Sequence, residues 1–154
     1  MHTPVNHPLR PLYRVIGGLA GLYVLLFGIV GLVETRGTEL FGHPSAHAMG
    51  LRTNLAFSLL SIVAGVVILG AAVIGRNIDQ KVNMIGGWAF MVIGMAMLAL
   101  LQTDANFLNF SVATCVVSFV IGLALLTAGL YGKVGTAEDA EAEEAFRHRE
   151  RRTT

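Results

Sequence analysis

Residues 110–131 read FSVATCVVSFVIGLALLTAGLY, a run without a single Asp, Glu, Lys, Arg or His. A helix rises about 1.5 Å per residue, so this run is long enough to cross a bilayer core of about 30 Å. It lacks the polar stripe, at a period of about 3.6 residues, that a soluble core helix carries. Three further windows share both properties: Val15–Val33, Thr53–Gly75 and Val82–Leu101. In hydrocarbon every backbone N–H and C=O must be bonded within the protein, so each window is expected to be a helix.

The expected architecture is all-α, an integral membrane four-helix bundle. Its spans are placed at 12–33, 53–75, 82–101 and 110–131, within a domain covering 12–135. Residues 1–11, rich in proline, are expected to be extended, and 136–154 form a charged tail. Composition agrees: of 154 residues 54% are apolar and 14% charged, where a soluble domain carries about 25% charged. The net charge of +1 argues for no nucleic-acid partner. The first window is longer than a signal-peptide core and continues Val33-Glu34-Thr35-Arg36 with no small-residue cleavage site, so it reads as a retained span. Cys115 is the single cysteine and can form no intrachain disulfide.

Basic residues set the expected orientation. Arg10, Arg14, Arg76, Lys81, Lys133, Arg147, Arg149, Arg151 and Arg152, nine of the eleven, fall on the side of the termini. Arg36 and Arg52 fall on the other. The positive-inside rule then puts both termini in the cytoplasm of a multi-pass cell-membrane protein. Tyr13 and Tyr131 sit where interfacial aromatics are expected, and the short 76–81 connection makes the second and third spans antiparallel neighbours.

Two tandem hairpins in parallel repeat would account for several shared elements. Ile16-Gly17-Gly18 matches Ile85-Gly86-Gly87, and Ser61 with Gly65 matches Ser118 with Gly122, 57 residues on. The competing explanation is that glycine and serine recur in any membrane helix.

Chemistry-bearing residues are sparse. No ionisable group falls inside the four windows, although such groups are the usual mark of proton and ion paths. No phosphate-binding glycine loop, CxxC or HExxH occurs, so neither an enzyme nor a cofactor is expected. His43 and His47 in GHPSAHAMG (42–50) have i,i+4 spacing, but Pro44 disfavours helical geometry at His43 and two ligands are too few for zinc. The loop is expected to be polar and interfacial without metal, with a turn of helix starting at Pro44.

Small residues carry more. Gly17 and Gly21, Ser61 and Gly65, and Thr114, Ser118 and Gly122 recur at four-residue spacing, which lines one helix face with little bulk. These faces either close the protein's own bundle or are left for another membrane protein or a second copy. In the tail, Thr136 with Asp139 resembles a capping box, and Arg147, Arg149, Arg151 and Arg152 could meet anionic lipid headgroups.

The run Asn106-Phe-Leu-Asn-Phe-Ser-Val-Ala-Thr-Cys115, the closing Ala128-Gly-Leu-Tyr-Gly-Lys133, the Gly-Gly first span and Asn54 resemble domain of unknown function 4383, a family of small actinobacterial four-span membrane proteins. The resemblance covers roughly residues 10–135 and implies a fold and a membrane address, not an activity. The family's Asn-x-x-His step at the second span is absent, since Phe57 follows Asn54. The reading reached is a non-catalytic accessory or scaffold subunit in contact with membrane lipids, acting through small-residue helix contacts. The alternative is a small channel or carrier for a solute.

Overall fold

The computed structural model describes residues 5–136, 138–142 and 145. Four helices make up its body: α1 (Arg10–Glu34), α2 (Leu55–Ile74), α3 (Ile78–Leu100) and α4 (Val112–Tyr131). Two short strands, β1 (His47–Ala48) and β2 (Leu51–Arg52), lie in the connection between α1 and α2. All four helices are long and apolar enough to cross a membrane.

Each helix end follows from local chemistry. Proline in its first turn suits the start of α1, where the missing N–H has no helical partner anyway. At its other end the Thr35 backbone N–H and hydroxyl both donate to the Gly31 carbonyl. The Asn54 carboxamide oxygen accepts from Phe57 N–H at 2.9 Å to cap α2, and the Ser111 hydroxyl accepts from Thr114 N–H at 3.3 Å to cap α4. Between α2 and α3 the chain reverses through Gly75, Arg76 and Asn77, all left-handed, with φ of 70°, 53° and 67°. That reversal is tighter than the sequence window implied, and α3 begins four residues before the charge-free stretch.

Helices α1 and α2 form one antiparallel hairpin, α3 and α4 a second. In the first, Gly21 faces Leu69 and Gly28 faces Ile62; in the second, Gly87 faces Leu126 and Gly94 faces Phe119. Most buried positions on α2 and α4 are small or polar, Ser58, Ser61, Gly65 and Ala71 on the first and Thr114, Cys115, Ser118 and Gly122 among those on the second, with Ile68 and Leu125 as the large apolar exceptions. The exposed positions are large and apolar, for example Val63, Val73, Ile85, Val92 and Val120. That distribution would be an aggregation hazard in water, and it is the one a bundle surrounded by lipid requires.

Candidate functional site

At the end of the bundle away from the termini, the two long loops are fastened to each other by asparagines. The Asn54 carboxamide N–H donates to the carbonyls of Gly42 (3.2 Å) and Phe107 (2.8 Å). In return the Asn109 carboxamide N–H donates to the carbonyls of Pro44 (3.0 Å) and Thr53 (2.9 Å). Both side chains are buried, and Asn109 holds a left-handed φ of 54° that Asn tolerates better than most residues. A third, Asn106, folds the α3–α4 loop on itself by bonding Phe110 through both its carboxamide groups. Beneath them the buried Thr53 and Ser58 hydroxyls bond at 3.0 Å. The result is one continuous cap, on which Phe41 (56% exposed) and Phe107 (46%) meet edge to face at 6.1 Å.

The histidine loop belongs to this cap, but not as a turn of helix. Its backbone forms a β-hairpin in which His47 pairs with Arg52 and Ala48 with Leu51. Met49 and Gly50 turn it with φ of 48° and 83°, the positive pair of a type I′ hairpin turn. Pro44 instead lies outside any helix, with its carbonyl accepting from Asn109. His43 and His47 are both exposed, and His47 Nδ1 lies 2.8 Å from the Ser45 carbonyl.

The opposite end draws ionisable groups into the bundle, which corrects the charge-free picture of the spans. Because α3 starts at Ile78, Asp79 lies in its first turn and is only 2% exposed. Arg10 stands 3.8 Å from it while donating through Nε to the Gly132 carbonyl. Arg14 donates to the carbonyls of Ala72 and Val73 at the end of α2. One oxygen of Asp79 and that of Asn83, one turn on, are buried without a hydrogen bond. Two more asparagines clamp the chain here: Asn77 bonds Val134 through both N–H and C=O, and Asn6 does the same to Gly135. Tyr13 and Tyr131 stack with centroids 5.1 Å apart, so α1 and α4 meet at this end.

The seven small residues singled out from the sequence all lie in the bundle's own interfaces. A Cβ on Gly65 would stand 2.5 Å from Leu25 N, one on Gly21 2.8 Å from Leu69 N, and one on Gly122 2.9 Å from Met91 Cγ. Gly17 abuts Asn83, and Ser61, Thr114 and Ser118 are buried. These contacts also give the repeat its register. All five buried residues of α2 map onto buried residues of α4 at the 57-residue offset: Ser58 on Cys115, Ser61 on Ser118, Gly65 on Gly122, Ile68 on Leu125, Ala71 on Ala128. Between α1 and α3 the matching contacts are those of Gly21 with Gly87 and of Gly28 with Gly94, an offset of 66 residues. The Gly-Gly dipeptides match at an offset of 69 instead, about one turn out of step.

The repeat is uneven between its two hairpins. Between α2 and α3 lies an apolar cleft of about 410 Å³, open on one side and lined in part by Leu60, Ala64, Ala89 and Ile93. The equivalent space between α1 and α4 measures about 20 Å³. Its lining residues Val117, Ile121, Tyr23 and Phe27 occupy the corresponding positions. Tyr23 stands where the larger cleft has Ala89, and Ile121 where it has Ala64. Two alanines thus leave open what a tyrosine and an isoleucine fill.

Four apolar spans with small and polar residues inside and bulky apolar residues outside define a multi-pass membrane protein. The chain belongs to the family described as domain of unknown function (DUF4383), whose model matches residues 14–131. No curated protein and no solved structure matches it. Of the tail, the capping box is present: Thr136 N–H and hydroxyl bond Asp139, and Asp139 N–H bonds the Thr136 hydroxyl. Arg147, Arg149, Arg151 and Arg152 lie outside the described residues.

Proposed function

We propose that the chain is a non-catalytic accessory or scaffold subunit of the cell membrane, with both termini cytoplasmic and the asparagine-fastened cap outside. The cap carries this reading. Its two loops are joined by three side-chain bonds from Asn54 and Asn109, so little conformational freedom remains to be lost when a partner binds. Phe41 and Phe107 stand exposed on that cap, and aromatic anchors on preorganised surfaces dominate binding energies. The small-residue faces serve the bundle itself, so partner contact falls to the cap rather than to those stripes. The excess of basic residues at the terminal end supports the orientation, and the exposed apolar flanks support contact with lipid rather than nucleic acid.

The test is purification from native membranes in mild detergent. A stoichiometric partner is expected with the wild type and with Val73→Ala on the lipid-facing flank, and is expected to be lost when Phe41 and Phe107 are both replaced by Ser. A partner-free chain that passes a solute across proteoliposomes, or that turns over a substrate, overturns the reading in favour of a channel, a carrier or an enzyme.

A further inference from the structure

At the terminal end of the bundle two buried oxygens stand without donors. Asp79 and Asn83 lie on successive turns of α3, and each is 2% exposed. Among the described residues, neither Oδ1 of Asp79 nor Oδ1 of Asn83 receives a hydrogen bond. A carboxylate oxygen and an amide oxygen are both acceptors, so neither satisfies the other. Leaving a buried acceptor unpaired is costly, and more so for a charged one. The cap shows the contrast, because Asn54 and Asn106 each bond through carbonyl and N–H alike.

Span, charge and space narrow what completes the pair. Residues four apart on a helix have Cβ atoms about 5–6 Å apart. One molecule with two donors bridges such a distance at ordinary hydrogen-bond lengths of about 2.7–3.0 Å each. Charge argues against a cation: Arg10, 3.8 Å away, already balances Asp79, and a second positive charge inside the bundle would go uncompensated. Space argues against anything large. A Cβ on Gly17 would stand 2.6 Å from Asn83 Nδ2 and 2.9 Å from its Oδ1, so the α1 backbone closes directly on the carboxamide. Water is the smallest neutral molecule with two donors. It has a way in beside Arg10, whose side chain is 24% exposed and stands beyond hydrogen-bond reach of Asp79. A polar contact of that length is one that water commonly bridges.

We propose that Asp79 and Asn83 form a hydration site that holds one ordered water, entered from the terminal end, with one O–H donated to each Oδ1. Asn83 lies five residues beyond the start of α3, roughly 8 Å into the helix at about 1.5 Å per residue. The water supplies here what direct bonds supply in the cap, and it lets a carboxylate lie inside a span. This site is independent of the partner surface at the cap.

Solid-state NMR of the isotope-labelled full chain in phosphatidylcholine vesicles tests the assignment. Polarisation passed from water protons should reach the Asp79 and Asn83 side-chain carbons several-fold faster than that of Asn54, which is equally buried but bonded directly to protein. Asn83→Leu should slow the transfer to Asp79, whereas Val92→Leu on the lipid-facing flank should not. The wild-type comparison decides even where Asn83→Leu does not fold. Transfer to both residues no faster than to Asn54 would overturn the proposal and indicate an Asn83 carboxamide turned to donate to Asp79. Transfer to Asp79 unchanged in a folded Asn83→Leu would rule out a shared water. An Asp79 carbon shift of the protonated acid at neutral pH would replace the water with a direct bond from its own O–H. Melting midpoints should be equal in sodium, ammonium and N-methylglucamine chloride. A rise specific to sodium or ammonium, lost in Asn83→Leu, would make this a cation site instead.

Discussion

Replacing Gly65 with alanine adds one methyl group and removes the helix-destabilising freedom of glycine, so on propensity alone it should help by about 0.5–1 kcal/mol. The structure reverses that expectation. The new Cβ would stand 2.5, 2.6 and 2.7 Å from N, Cα and Cβ of Leu25, where carbon contacts settle at about 3.5–4.0 Å. Two of those atoms are backbone, so α1 and α2 must part by about 1 Å, at a cost of about 1–3 kcal/mol. Lipid gives no hydrophobic compensation, because close packing is what holds such helices together. Gly122 is the equivalent residue but faces Met91 Cγ at 2.9 Å and Sδ at 3.1 Å, a flexible side chain that can withdraw, and a single backbone atom, Gly87 O, at 3.1 Å. Gly70 faces open space, with nothing within 4 Å. Unfolding midpoints in detergent should therefore fall in the order Gly65→Ala lowest, Gly122→Ala intermediate, and Gly70→Ala equal to or above wild type. Indistinguishable midpoints for Gly65→Ala and Gly70→Ala would refute the packing argument.

Asn109→Ala should cost about 1–3 kcal/mol, because the Pro44 and Thr53 carbonyls lose their donor. Faster amide exchange across 43–53 should accompany the loss, and exchange unchanged from wild type would contradict it. Arg10→Ala strands the buried Asp79 carboxylate. We expect about 1–3 kcal/mol, less than the ~3–5 for a fully buried pair, because Arg10 is 24% exposed and solvent screens it. Adding Asp79→Asn should recover most of that loss, and a double variant as weak as the single would count against the pairing. The Asp139 carboxyl is held below its ordinary value by hydrogen bonds from the Thr136 backbone and hydroxyl. A depressed folded value means the cap's contribution is complete above the unstructured carboxylate pKa of ~3.9 and fades as pH falls through the lower, folded one. Carboxyl carbon NMR should show Asp139 titrating low and Thr136→Ala moving it partway back, since the backbone donor survives. Titration at the ordinary value in the wild type would exclude the cap.

The four spans were legible because lipid demands an unbroken apolar length, a property of composition that local context cannot override. The small-residue faces were legible for a related reason, since spacing of four returns to one side of a helix. Alignment of α1 with α3 was not, because the matching Gly-Gly letters ignore which glycine faces the partner. Gly21 and Gly28 touch α2 as Gly87 and Gly94 touch α4, and only contacts reveal it. Asp79 falls outside the charge-free third window, because charge ordinarily marks the end of a span, yet it lies within α3 with Arg10 beside it. The hairpin at His47–Arg52 has strands of two residues each, too short for any alternation to register. Its available signal was Met49-Gly50, a glycine where a type I′ turn needs positive φ. Asn54 stands at the start of the second span in the sequence, but the loops it joins are brought together only by the fold. The cleft was invisible in the windows, because Ala89 differs from Tyr23 only once the two helices are set in register.

The central claim, two tandem hairpins with both loops of the cap on one face and both termini on the other, is open to direct measurement. Single cysteines at His47, Ala105, His7 and Thr136, in a Cys115→Ala background, can be challenged in intact cells with a membrane-impermeant thiol reagent. Positions 47 and 105 should label from outside, and positions 7 and 136 only after the membrane is opened. Labelling that separates 47 from 105, or that joins 136 to 47, would contradict the four-span hairpin arrangement.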